Sequence, residues 1–157
     1  MPMRPFVRED KLPLKEILEA TGVFRKEEIG VALELMEMVT EEEGQEEYVM
    51  FVSTDEHRLV RGYYCVGPTP MTETSFDLYW IAVDPKQYGS GVSRELLDHC
   101  ESYVRSRGGK KIIAETSSQS GYDRTRSFYG KHGFAEEARI RNYYAPGDDL
   151  VIYTKQL

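Results

Sequence analysis

The most constraining stretch of the sequence is AVDPKQYGSGVSRELL, residues 82–97, in which an apolar strand runs into a glycine-containing loop and then a helix. Asp84-Pro85 ends the strand, because proline cannot donate a hydrogen bond to a neighbouring strand. Gly89 and Gly91 flank one serine, and apolar residues at helical spacing follow. Such a loop gathers unpaired N–H groups and the positive end of the helix dipole in one small volume. The stretch therefore predicts a site for phosphate.

Three phosphate ligands suit a loop of this kind, and the flanking residues discriminate between them. A triphosphate loop needs a lysine after its last glycine, whereas Val92 and Ser93 follow Gly91 here. A dinucleotide fold needs a third glycine where Arg94 stands. Coenzyme A requires only amides at its diphosphate, which a bare glycine loop supplies. The alternative without a ligand, a tight turn between strand and helix, is left open by the loop alone.

Periodicity along the chain predicts one domain over residues 1–157, of α/β (α+β) class. Alternating apolar residues predict strands at 48–53, 59–66, 76–83, 111–116, 134–144 and 150–155. Apolar residues recurring every three or four positions predict helices at 12–22, around 29–36, at 92–104 and at 122–132. This order of elements predicts a mixed central sheet flanked by helices.

Composition limits the partners. The 20 basic and 27 acidic residues give a net charge of −7, which disfavours nucleic acid and anionic membranes as partners. No apolar run approaches the roughly 20 residues of a membrane span, and no hydrophobic signal segment opens the sequence, so we expect a cytoplasmic protein. The two cysteines and three histidines lack the spacing of metal ligands, so no metal site is predicted.

Two motifs together resemble the GNAT acyltransferase (N-acetyltransferase) superfamily. The sequence WIAVDPKQYGSGVSRELL, residues 80–97, is similar to that family's central strand, glycine loop and long helix. The sequence RSFYGKHGF, residues 126–134, resembles its second motif, a helix that carries Phe-Tyr and ends at Gly-Phe. Tyr88 stands where the family usually has Gln or Arg, and Ser93 replaces its last Gly or Ala. These two departures leave the backbone amides of the loop in place.

The resemblance implies a GNAT-like fold that uses acetyl-CoA as cosubstrate. It implies direct transfer of the acetyl group, in a ternary complex, to an amine of a small molecule or peptide. The strand backbone would pair with the pantetheine arm, and the loop amides would hold the diphosphate. The cofactor-binding residues that it implies are Ile81, Ala82, Val83, Tyr88, Gly89, Ser90, Gly91, Val92 and Ser93.

The resemblance also implies a general acid, Tyr129, at the family's Phe-Tyr position, which would protonate the departing thiolate. The general base is left open between Asp77 and Glu115, which lie in strands predicted to flank the cleft. Either carboxylate equally suits a surface ion pair.

Several questions stay open at the level of sequence. Asp148 and Asp149 either recognise a cationic acceptor or shape the last turn, and Arg94 is a candidate phosphate contact. The acceptor and the oligomeric state, including a homodimer, are not determined. A non-catalytic coenzyme A-binding regulatory or interaction module is the alternative function, and thiol release with a panel of amines would separate it from an enzyme.

Overall fold

The computed structural model describes residues 3–157. In this part of the chain, the segments with helical periodicity form four α-helices and those with alternating periodicity form a seven-stranded sheet. Residues 1 and 2 of the predicted domain lie outside the described residues. The strands are β1 (Met3–Pro5), β2 (Val49–Thr54), β3 (Val60–Pro68), β4 (Ser75–Val83), β5 (Lys111–Ser117), β6 (Ala135–Ala145) and β7 (Asp148–Gln156). The helices are α1 (Lys11–Thr21), α2 (Lys26–Glu41), α3 (Val92–Ser106) and α4 (Asp123–Lys131).

The sheet is mixed, as predicted. Its strand order is β1-β2-β3-β4-β5-β7-β6, and every neighbouring pair is antiparallel except β4 and β5. The sequence predicts only an extended start before α1, whereas β1 adds an edge strand by pairing Met3 with Ser53. None of the helices in the described part of the chain combines the length and the apolar character that crossing a bilayer requires.

Helices cover both faces of the sheet and bury one apolar cluster on each. The first cluster contains residues of α3 such as Leu96 and Leu97, and the second contains residues of α1 and α2 such as Leu14 and Met36. Strand β3 lies between the two clusters and is buried on both sides. Its successive side chains alternate between the clusters, because neighbouring residues in a strand point to opposite faces.

An irregularity in β4 and a separation of β4 from β5 create the cleft of the molecule. Cys65 pairs with Trp80 but Val66 pairs with Leu78, so Tyr79 is an extra residue in β4. The parallel pairing of β4 with β5 joins residues 75–78 to residues 111–114 and goes no further, although both strands continue. Beyond this point, which we call the fork, the β5-facing edge of β4 has no strand partner among the described residues.

Candidate functional site

Two cavities open at the fork and share part of their walls. The first has a volume of about 700 Å³ and the second about 420 Å³. The residues that line both cavities are Val23, Phe24, Ile81, Gly121 and Thr125. Because the shared wall includes the free end of β4, molecules bound in the two cavities would meet at the fork.

The first cavity contains most of the residues predicted to bind a cofactor. Six of the nine line it, namely Ile81, Ala82, Val83, Tyr88, Gly89 and Ser93. Ser90, Gly91 and Val92 belong to the same loop but do not line the cavity; Val92 is buried beneath it, and the hydroxyl of Ser90 donates to the carbonyl of Gln87. The predicted loop and the free strand edge therefore border one cavity.

The loop before α3 presents free backbone donors. Gly89 and Gly91 have φ angles of +84° and +90°, and a Cβ at either residue would meet no protein atom within 4 Å. The left-handed backbone, rather than crowding, accounts for glycine here. Tyr88 and Ser90 use their N–H groups inside the turn. Within residues 88–93, the other four N–H groups, those of Gly89, Gly91, Val92 and Ser93, donate to no acceptor among the described residues.

Helix α4 and the residue that follows it add polar side chains to the first cavity that the sequence analysis missed. Arg124, Lys131 and His132 line it, two of them permanent cations, and the Arg124 guanidinium lies 4.2 Å above the centre of the Tyr88 ring. Lys131 and His132 follow Arg124 by seven and eight residues, which places the three on one face of the helix. This spacing can be read from the sequence. Arg94, the predicted phosphate contact, is exposed on α3 and lies outside the lining of both cavities.

Two of the three predicted catalytic residues line the second cavity. Tyr129 is 4% exposed, its ring packs against those of Phe134 and Tyr153, and its hydroxyl has no hydrogen-bond partner among the described side chains. Burial raises the pKa of Tyr129 above its ordinary value, so the hydroxyl stays protonated at neutral pH. Glu115 also lines the cavity.

Asp77, the other candidate base, lies outside the lining of the second cavity but acts on Glu115. Desolvation raises the pKa of the Glu115 carboxyl, and the negative charge of Asp77 raises it further. The hydroxyl of Tyr79 lies 3.4 Å from Oδ2 of Asp77, at the limit of a hydrogen bond. The structure thus brings the two carboxylates within electrostatic range and places Glu115 in the cavity wall.

The opposite wall of the second cavity comes from α2 and from the segment before α4. Oε1 of Glu28 accepts a hydrogen bond of 2.9 Å from the backbone N–H of Arg25. The hydroxyl of Tyr122 lies 3.4 Å from Oε2 of Glu28, and the rings of Phe24 and Trp80 stand 5.1 Å apart. The family resemblance implies that the N-terminal helical segment, residues 12–39, covers the acceptor side of the site. The sequence does not identify the individual residues of this wall, because they become neighbours only when α1 and α2 pack on the sheet.

The two aspartates of the last hairpin have different surroundings: one lies in the second cavity and the other stabilises the hairpin. Asp148 lines the second cavity and accepts a hydrogen bond from the Ser117 hydroxyl. Asp149 accepts a bond from the backbone N–H of Asn142 and pairs with Arg139, so it stabilises the hairpin. Across residues 3–157, no group of three or more His, Cys, Asp or Glu side chains is arranged to hold a metal ion.

Comparisons with known proteins agree with this architecture. A family profile for the acetyltransferase (GNAT) domain matches residues 45–136. A crystal structure from Desulfovibrio desulfuricans assigned to the GNAT family of acetyltransferases is 39% identical, with a TM-score of 0.91 over 98% of this chain and 97% of that one. Among curated proteins, no significant match to the chain was found.

More distant structures share the fold. An aminoglycoside 6'-N-acetyltransferase complexed with coenzyme A is 18% identical, with a TM-score of 0.76 over 99% of this chain and 97% of that one. A ribosomal-protein-alanine N-acetyltransferase from Brucella melitensis is 20% identical, with a TM-score of 0.76 over the full length of both chains.

Proposed function

The chain belongs to the GNAT acetyltransferase family, and we propose that it transfers the acetyl group of acetyl-CoA to an amine by direct attack in a ternary complex. The observation that carries the proposal is the meeting of two chemically different cavities at one fork. The first presents backbone donors and cations. The second presents a carboxylate and a buried tyrosine to the same point.

The residues of the first cavity fit coenzyme A. The free N–H groups at the start of α3, together with the dipole of that helix, suit a diphosphate. Arg124 lies directly over Tyr88, the position at which the family usually has a polar or cationic side chain, and supplies a guanidinium there. The unpaired edge of β4 around Ile81 can accept an extended chain carrying amide groups, as a further strand would pair.

Glu115 is proposed as the general base. Acetyl-CoA, when bound, supplies the thioester whose acetyl group is transferred. An ammonium group must lose a proton before its nitrogen can attack, and the raised pKa of Glu115 makes its carboxylate a better proton acceptor than an ordinary surface glutamate. Asp77 is proposed to assist by keeping the Glu115 pKa high, as its charge does across the strands.

Tyr129 is proposed as the general acid that protonates the departing thiolate. Its buried hydroxyl is free of internal partners, and its raised pKa keeps the proton in place until the leaving group develops charge. In balance, an N–C bond forms and the C–S bond breaks. The ammonium nitrogen loses one proton to Glu115 before the attack and a second as the amide forms, and Tyr129 gives its proton to sulfur and is restored by that second proton.

The test is thiol release from acetyl-CoA in the presence of amines, with Tyr129→Phe and a matched control. We expect Tyr129→Phe to lower kcat by roughly a hundredfold or more. Tyr153→Phe alters a ring 5.6 Å from Tyr129 that lines neither cavity, so it should keep near-normal turnover. Equal kcat values for wild type and Tyr129→Phe would remove the acid assignment.

Calorimetry with coenzyme A separates the enzyme from a binding module. Binding with no thiol release for any amine would favour the non-catalytic module. No binding at all would overturn the proposal for the first cavity as well.

A further inference from the structure

The second cavity has a surplus of negative charge. Three carboxylates line it, from Glu28, Glu115 and Asp148, against one guanidinium, that of Arg25. The Arg25 side chain is 73% exposed and already pairs with Glu28 at 3.2 Å. Two carboxylates, those of Glu115 and Asp148, therefore remain without a cationic partner among the described residues. Glu115 is exposed and Asp148 is half-buried in the free protein. A molecule that fills the cavity would take both carboxylates out of water, and it has to supply positive charge because a carboxylate buried without a counter-charge is costly.

These two carboxylates stand at separate places along the cavity. Asp148 is held by the hydroxyl of Ser117, and Ser117 follows Glu115 by two residues on the same face of β5. Two residues of a strand span roughly 7 Å. One short aliphatic chain with a nitrogen at each end has a length that matches this spacing, and it supplies one positive charge for each carboxylate.

Six aromatic residues belong to the lining of the same cavity. They are Phe24, Tyr79, Trp80, Tyr122, Tyr129 and Tyr144. Burial raises the pKa of both Tyr122 and Tyr144 to about 12, so these hydroxyls are neutral at physiological pH. Ring faces attract alkylammonium groups and cover methylene chains. The lining thus suits an apolar chain with cationic ends better than a neutral or anionic molecule.

Unpartnered polar atoms in the same wall point independently to a ligand. Thr116 is 5% exposed and its Oγ1 has no hydrogen-bond partner among the described residues. Tyr129 lines the same cavity, and its hydroxyl makes no hydrogen bond to another described residue. Buried polar groups are almost always hydrogen-bonded in folded proteins, so the unpartnered Thr116 hydroxyl is explained by a bound group that completes its bonding.

We propose, building on the acyl transfer described above, that the acceptor is an aliphatic diamine or polyamine without a carboxylate. One nitrogen loses its proton to Glu115 and is acylated. The other stays protonated and is held by Asp148. An amino acid acceptor is disfavoured because its carboxylate would enter a cavity that is already negative.

The test compares cadaverine, n-pentylamine and lysine as acceptors for the full-length protein with acetyl-CoA. Pentylamine lacks the second ammonium group, and lysine is cadaverine with a carboxylate added. We expect kcat/KM for cadaverine to exceed that for each of the others by roughly tenfold or more at low salt, the size expected for one hydrogen bond to a charged group.

Two variants test whether Asp148 is the residue that causes the preference for cadaverine over pentylamine. Asp148→Asn should bring the ratio of kcat/KM for cadaverine to that for pentylamine close to one. Asp149→Asn changes the adjacent carboxylate, which lies outside the cavity, and should leave that ratio as in wild type. A wild-type enzyme that acylates all three amines equally would overturn the diamine proposal and leave acyl transfer standing.

If none of the three amines is acetylated, a binding measurement still tests the diamine proposal. Calorimetry with coenzyme A present should show cadaverine binding more tightly than pentylamine in wild type and equally in Asp148→Asn. Absence of turnover together with this preference would contradict the proposed function but support the dicationic ligand. Absence of both would overturn both.

Discussion

Replacing Lys155 by methionine should destabilise the protein by leaving a buried carboxylate without its cation. Nζ of Lys155 on β7 lies 2.9 Å and 3.1 Å from the two carboxylate oxygens of Glu101 on α3. The Glu101 side chain is 9% exposed and that of Lys155 is 24% exposed. The pair therefore joins the helix that begins at the glycine loop to β7, the strand next to the edge strand β6.

The size of the effect follows from this burial. Removing one partner of a buried ion pair costs about 3–5 kcal/mol in free energy of unfolding. The loss here should lie at or below the lower end of this range, because Lys155 is partly solvated and Arg105 remains 4.0 Å from Glu101. We expect a loss of about 2–3 kcal/mol, or a fall in Tm of roughly 5–10 °C for a chain of this size. Urea unfolding followed by circular dichroism measures it as a lower midpoint at constant m.

Two further variants decide whether buried charge is the cause. Glu101→Met in the Lys155→Met background removes the stranded carboxylate and should restore at least half of the loss, because apolar residues can replace a buried pair without penalty. Lys110→Met changes an exposed lysine without an ion pair in the described part of the chain and should cost less than about 0.5 kcal/mol. A double variant no more stable than Lys155→Met alone would refute the reasoning.

Three other outcomes follow from the structure. Asp77→Asn removes one of the causes that raise the pKa of Glu115, so the acidic limb of kcat/KM against pH, where the base becomes protonated as pH falls, should move to lower pH. Arg124→Gln should weaken coenzyme A binding by roughly tenfold in calorimetry, as expected for one charged contact to phosphate. Tyr63→Phe removes a buried hydroxyl with no partner among the described residues and should raise the free energy of unfolding by about 1 kcal/mol.

Two of these three outcomes have a matched control. Arg94→Gln changes an exposed arginine outside both cavities and should leave coenzyme A affinity unchanged. Tyr64→Phe, next to Tyr63 in β3, removes a hydrogen bond of 2.8 Å to Nδ1 of His99 and should cost about 1 kcal/mol. An acidic limb that stays in place in Asp77→Asn would show that Asp77 does not influence the base. Equal stability changes at the two neighbouring tyrosines would contradict the hydrogen-bond argument.

Much of the fold could be predicted from the sequence because it depends on local periodicity. Gly22, predicted to end the first helix, follows α1 with a φ angle of +69°. The strand and helix predicted around the glycine loop are β4 and α3, with ends within two residues of those predicted. Such boundaries are determined by nearby residues, so one chain is sufficient to find them.

The walls of the site could be predicted only in part, because they depend on packing between distant segments. Phe24 lies in the short connection between α1 and α2, yet it lines both cavities and contacts Trp80 and Tyr122. Nothing local to Phe24 distinguishes it from a residue that covers an apolar core. The spacing that places Arg124 and Lys131 on one face of α4 can be read from the sequence. The sequence does not show which face of the helix lines a cavity.

The fork is associated with a change in which positions of β4 face inward. This change is not visible in the sequence, because β4 is apolar on both faces. Phe76 and Leu78 belong to the first buried cluster. After the extra residue Tyr79, the residues that contact this cluster are Ile81 and Val83. The positions of β4 that face the first cluster therefore change from even-numbered to odd-numbered residues. A half-exposed strand would show this change as a break in alternation. Here Trp80 and Ala82 meet the second cluster, so both faces are apolar and the break is hidden. The bulge follows directly after the last residue paired with β5. Because bulges bend and twist a strand, the same extra residue that changes the phase of β4 accounts for its separation from β5 and for the cleft.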